Sequence, residues 1–133
     1  MKVVLDSSVL IAASISRAGV CAELLEDVLT RHELVISDFI TSELTRKLRD
    51  KFKFPASDIQ QLRRFLSHTA TSVTPAELPH DACRDLTDIP VLGTAVAGNV
   101  KLLITVDKDL LTLGNYKGIA IIKPGQFWER EIG

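Results

Sequence analysis

Lys2-Val3-Val4-Leu5-Asp6-Ser7-Ser8-Val9-Leu10-Ile11 decides the fold. Lys2 to Leu5 reads as a short buried strand, because a Val/Leu run without alternation suits a strand covered on both faces. Asp6 ends the run. Ser7 to Ser14 then reads as a helix with Val9, Leu10 and Ile11 apolar.

The same alternation continues along the chain. Gly19 interrupts, and Val20 to Leu29 predicts a second helix with Cys21, Leu24, Leu25, Val28 and Leu29 on one face. Leu34-Val35-Ile36 predicts a second strand. Ser37 or Asp38 caps the next helix, whose inner stripe is Ile40, Leu44, Leu48 and Phe52. Pro55 stops that helix and opens another, with Ile59, Leu62, Phe65 and Leu66 inside. Ala70 to Val73 is a weak third strand, and Thr74 to Pro90 is loop-rich. Pro90 to Ala97 reads as helix, closed by Gly98-Asn99. Leu102 to Thr105 is a fourth strand. Asp107 to Leu113 is a short helix stopped by Gly114. Ile119 to Ile122 is a fifth strand, and Pro124 to Arg130 a final turn or helix. Helices alternating with Val/Ile/Leu-rich strands predict a parallel sheet covered on both faces. In such sheets the functional crevice lies beyond the carboxyl ends of the strands.

Composition limits the alternatives. The 133 residues are 46% hydrophobic and 25% charged, which fits one globular core. No apolar run reaches the roughly 18 residues that span a bilayer, and Met1 to Asp6 does not read as a signal peptide. A cytoplasmic location, without membrane, is the resulting expectation. The formal net charge of −1 lacks the basic surplus of a protein that grips long duplex nucleic acid. Any nucleic-acid contact must then be local or use a metal. Cys21 and Cys83 form no C-x-x-C pair and read as free thiols. His80 and Cys83 supply an H-x-x-C fragment with no matching pair, so zinc is not expected. The missing Gly-rich first turn argues against a dinucleotide fold. Ser8 stands where an Asp-x-Asp phosphatase needs an acid, and Ser7-Ser8 replace the acidic pair of a receiver domain.

Acids recur where strands end. Asp6 follows the first strand, Asp107 and Asp109 follow the fourth, and Glu43 lies near the start of the third helix. Asp85 and Asp88 lie in the loop leading to the helix before the fourth strand. Gathered carboxylates repel one another and raise each other's pKa unless a cation neutralises them. An all-oxygen cluster suits a hard cation such as Mg²⁺ or Mn²⁺. Taken singly, an Asp at a strand end is more often a helix cap than a ligand, and Asp107 has an obvious helix to cap.

These residues resemble the PIN domain family. Val4-Leu5-Asp6-Ser7-Ser8-Val9-Leu10-Ile11 is similar to its opening motif. Ser42-Glu43-Leu44 matches its acidic helix position. Arg84-Asp85-Leu86-Thr87-Asp88 resembles its Asp-x-x-Asp loop, and Leu103 to Leu111 resembles its final motif. The group most similar is that of toxin components of toxin–antitoxin pairs. The resemblance implies a three-layer α/β/α fold with a central parallel sheet of about five strands, as a single domain over 1–133. It implies Mg²⁺ or Mn²⁺ held by the catalytic acids Asp6, Glu43, Asp88 and Asp107, with Asp85 and Asp109 auxiliary. Ser8 and Thr105 would hydrogen-bond ligands or waters around them. The implied activity is endonucleolytic hydrolysis of single-stranded RNA, with a homodimer and an antitoxin protein as partners. The chain departs from the family pattern in two ways: Ser8 replaces a frequent Asn, and Leu86 and Ile89 remove polarity from the Asp85–Asp88 loop.

Other features carry a competing reading. Arg46, Lys47 and Arg49, with Lys51 and Lys53, follow Glu43 and could guide RNA, or form a solvated face with Glu43 and Lys47 as an i,i+4 pair. His32 and His68 read as helix-end residues. Phe127-Trp128 reads as a packed closing segment rather than a base platform. The alternative to a nuclease is a catalytically weak or inactive module of the same fold that binds RNA or a partner protein.

Overall fold

The computed structural model describes residues 1–132, with side chains described through Glu129. Gly133, the last residue of the expected 1–133 span, lies outside the described residues. Seven helices and six strands are present among them. The order is β1 (Lys2–Leu5), α1 (Ser7–Ile15), α2 (Val20–Arg31), β2 (Glu33–Ile36), α3 (Asp38–Asp50), α4 (Ala56–Thr69), β3 (Thr71–Ser72), α5 (Ile89–Ala97), β4 (Leu102–Ile104), α6 (Lys108–Leu113), β5 (Asn115–Tyr116), β6 (Ile119–Ile122) and α7 (Phe127–Ile132). Short 3₁₀ turns at Leu86–Asp88 and Pro124–Gln126 lead into α5 and α7.

The sheet runs β3-β2-β1-β4-β6-β5. Every pairing is parallel except β5 with β6. Helical crossovers bring each parallel strand back in the same direction, so the carboxyl ends share one edge. β1 sits between β2 and β4, with Val4 opposite both Val35 and Leu103. Past the exposed Lys2 the central strands are buried: Val3, Val4, Leu103 and Ile104 are fully buried. Helices supply the rest of the core through Val9, Leu24, Val28, Ile40, Leu44, Leu48, Leu66 and Leu92. Among the described residues no single helix is long and apolar enough to cross a bilayer.

The expected sheet of about five parallel strands is present, with one addition. A sixth strand, Asn115–Tyr116, pairs antiparallel at the edge. It is joined to β6 through Lys117 and Gly118, both at positive φ (49° and 84°). Two left-handed residues make the tight turn whose twist suits a hairpin. Two phenylalanines also lie outside the expected stripes. Helix α3 ends at Asp50, so Phe52 lies beyond it and is 37% exposed. Phe65 is 46% exposed because α4 buries Ile59 and Leu66, which face a different side.

The chain's closing segment packs back on α2. Phe127 is fully buried, edge-on to His32 at 5.4 Å between ring centroids. The Trp128 indole N–H donates to Asp27 Oδ2 at 2.8 Å.

Candidate active site

The carboxyl edge of the sheet gathers the acids, and the strand register explains how. Leu5 of β1 lies opposite Ile104 of β4, so the next residues, Asp6 and Thr105, are neighbours. The Thr105 hydroxyl donates to Asp6 Oδ2 at 2.8 Å, and both residues are buried. Asp6 Oδ1 accepts the Ser7 backbone N–H at 2.7 Å, so the carboxylate caps α1. The Ser8 hydroxyl reaches Asp6 Oδ2 at a long 3.4 Å. The Asp107 N–H donates to Thr105 Oγ1 at 3.0 Å. Thr105 therefore ties Asp6 to Asp107, using its hydroxyl once as donor and once as acceptor.

Asp107 caps α6 and accepts the Asp109 and Leu110 N–H groups through Oδ1 at 2.9 and 3.1 Å. The capping role and a place in the acidic group are compatible, because a carboxylate has a second oxygen.

Glu43 approaches from α3. It is one residue off the buried stripe of Ile40, Leu44 and Leu48, on the flank that turns toward α1. The Ser7 hydroxyl donates to Glu43 Oε1 at 2.6 Å, and Lys47 donates to the same oxygen at 3.1 Å. Ser7 was not singled out by sequence reasoning. Its signal was available: a hydroxyl in the first helical turn beside the capping Asp6. The start of α3 is fixed against α5 by a buried Ser37–Thr94 hydroxyl pair at 2.7 Å. Thr94 passes its own hydrogen to the Pro90 carbonyl at 2.8 Å.

The third source is the Asp85–Asp88 segment. Asp85 accepts the Thr87 N–H and hydroxyl at 2.9 and 2.8 Å. These bonds hold its carboxyl below the usual range. Asp88 is buried, and its Oδ2 has no hydrogen-bond partner. Burial pushes the Asp88 carboxyl up to about 7, helped by the neighbouring Asp107, Asp85 and Asp6 charges. Asp6 is also raised, mainly by burial and further by Glu43, although Thr105, the Ser7 N–H and Lys47 oppose the shift.

Asp85, Asp88 and Asp109 each offer a carboxylate oxygen within 4.8 Å of the others. This is the one group of metal-ligating side chains among the described residues, and neither His80 nor Cys83 belongs to it. Of the four expected ligands only Asp88 belongs to this group; Asp107 and Asp6 lie near enough for their charges to act on Asp88, and Glu43 near enough to act on Asp6. Such an arrangement fits a hard divalent cation: the donors are all oxygen, and a buried acceptor lacks a donor.

The basic residues separate. Arg46 and Lys47 line a 380 Å³ cavity beside Ser8 and Ile11. Arg49 bonds Asp50 at 2.8 Å and faces the groove between α3 and α4, on the other flank of the helix.

Comparison with known proteins gives consistent findings. A family model described as the PIN domain matches residues 2–109. No curated protein matches the chain. A chain in the structure of VapBC-1 from nontypeable Haemophilus influenzae superposes with a TM-score of 0.64 at 17% identity, covering 94% of this chain and 99% of that one. A chain in the structure of VapBC2 from Rickettsia felis, bound to a DNA fragment from their promoter, gives 0.62 at 14%, covering 92% and 98%. At such identities the likeness is one of fold.

Proposed function

The chain belongs to the PIN domain family, and on that premise we propose that it is a Mg²⁺- or Mn²⁺-dependent endoribonuclease acting on single-stranded RNA. The observation that carries the reading is Asp88 Oδ2, a buried acceptor without a donor among further carboxylates. A protein that crowds acids in this way needs positive charge to offset their repulsion.

The residues that would hold the ion are Asp6, Glu43, Asp88 and Asp107, with Asp85 and Asp109 adjoining. Such an ion, when bound, acidifies water and neutralises charge on a phosphodiester. The chain's own side chains do the rest. Thr105 fixes the Asp6 carboxylate so that its lone pairs keep one direction. Ser7 and Lys47 do the same for Glu43. The backbone N–H groups at the start of α6 hold Asp107. Arg46 and Lys47 lie on the side of α3 from which an RNA backbone would approach; Arg49 does not share that flank.

A toxin role with an antitoxin partner, and a homodimer, complete the proposal. They rest on the family resemblance and on the VapBC complexes that share the fold.

The test is direct. The wild-type chain should take up Mn²⁺ in calorimetry and cleave single-stranded RNA. Both should disappear in Asp6→Asn, and cleavage should stop with excess chelator. Cleavage that survives either treatment rejects the proposal. Metal-free binding of RNA without cleavage would favour the inactive module, for which the apolar Leu86 and Ile89 speak.

A further inference from the structure

A second cavity opens beside the acids. It holds about 590 Å³, within the range of small-ligand sites. Pro75, Leu78, Leu86 and Ile89 give it apolar walls, and Glu77 and His80 add polar groups. Leu86 and Ile89 alternate with Asp85 and Asp88 along a single short segment. The carboxyls of that segment join the acidic crevice, while its aliphatic side chains line the cavity. Cavity and crevice are therefore adjoining compartments divided by one turn of chain.

The cavity is built into the fold. Its outer wall, the loop containing Pro75 and Ala76, is clamped to α5 by the Ala76 N–H donating to the Gly93 carbonyl at 2.9 Å. A Cβ at Gly93 would stand 2.4 Å from the Ala76 carbonyl oxygen, so only glycine permits the approach. Leu86 remains 63% exposed at the mouth. Among the described residues, the side chains of Glu77 and His80 make no hydrogen bond within the protein.

The geometry points to a nucleobase subsite: the cavity receives one base of the RNA whose phosphate lies at the acidic crevice. The inference rests on the nuclease reading for its substrate. A flat apolar ring suits aliphatic and proline walls, and single-stranded RNA presents such rings unstacked. The polar groups set the preference. A carboxylate only accepts hydrogen bonds, whereas an imidazole can do either. Uracil's one donor in a nucleoside, N3–H, lies between two carbonyl oxygens that repel a carboxylate, so Glu77 favours bases with an exocyclic amino group, namely guanine, adenine and cytosine, over uracil.

Nucleosides carry no phosphate and need no metal, so they test the cavity apart from the nuclease. Guanosine, adenosine, cytidine and uridine are titrated into the full-length chain without divalent ions, and the His80 ring resonances are followed by NMR. The three amino-bearing nucleosides should shift those resonances at millimolar concentrations, with uridine weaker by about two- to tenfold, the worth of one hydrogen bond. Glu77→Gln, whose amide donates as well as accepts, should erase that difference. Both Glu77 and His80 are exposed, so Glu77→Gln and His80→Ala should leave the fold intact. With Mn²⁺ and a degenerate single-stranded RNA, the wild type should disfavour uracil at one position near the cut, and Glu77→Gln should lose that bias. No shift with any nucleoside, or a preference for uridine, overturns the subsite. If RNA is not cleaved at all, the nuclease reading fails, while the nucleoside titration still decides the cavity.

Discussion

The two halves of the acidic crevice are furnished differently. On the Asp6–Glu43 side each carboxylate is met by donors: Thr105 and the Ser7 N–H for Asp6, the Ser7 hydroxyl and Lys47 for Glu43. On the Asp88 side a buried oxygen meets no donor, and the neighbours are acids. The first half is preorganised by the protein alone. The second is left with an electrostatic deficit that only a proton or a cation removes.

This contrast can be broken most severely at Asp6. Asp6→Asn should lower RNA cleavage by more than about a hundredfold, since losing even a supporting partner of a ligand costs roughly 10–100-fold. A timed digestion of single-stranded RNA measures this. A residual rate near wild type would overturn the nuclease reading.

Thr105→Val sharpens the comparison. It keeps the buried shape but removes the link between Asp6 and Asp107. Mn²⁺ affinity by calorimetry should fall about 10–100-fold, and the circular dichroism spectrum should not change.

Asp88 gives a pH signature. Its carboxyl holds its proton up to about 7, against an ordinary 3.8. Between those values the folded chain keeps a proton that the unfolded chain has lost. Stability without metal should therefore fall as pH rises from about 4 to about 7, by on the order of 1–2 kcal/mol once screening at the open rim is allowed for. Thermal melts in chelator should show the decline. Asp88→Asn, whose amide can donate to its acidic neighbours, should flatten it. Added Mn²⁺ should raise the wild-type Tm at pH 7 and leave that of Asp88→Asn nearly unchanged.

The smallest effect belongs to Lys47. Its bond to Glu43 is a partly exposed i,i+4 pair, so Lys47→Ala should change stability by less than about 0.5 kcal/mol. An RNA affinity that falls and loses salt dependence in this variant would assign Lys47 to the substrate as well.

Much of the fold was legible because its signals are local. Apolar runs of Val, Leu and Ile mark β1, β2, β4 and β6, and four-residue spacing marks α3. What was missed depends on neighbours. Asn115–Tyr116 is too short to carry a pattern, and it is a strand only because the Lys117–Gly118 turn folds it onto β6. Phe65 fits the periodicity of α4, yet whether it is covered depends on which helix packs there. The acids were readable as strand-end residues. Their gathering at one rim was readable too, but which of them meet was not, because Asp85, Asp88 and Asp109 come together only through the path of the 73–88 loop. Ser7 was read as part of a helix start, and its bond to Glu43 spans 36 positions.

The closing segment has an experimental use. Trp128 is the sole tryptophan. With Phe127 it sits near His32, whose ring lies against the Met1 amino group at the amino edge of the sheet. The acids occupy the other edge. Indole emission thus watches the tail come off α2 while staying blind to events at the carboxylates. One cuvette can distinguish a variant that has shed its last helix from one that has merely lost its ion.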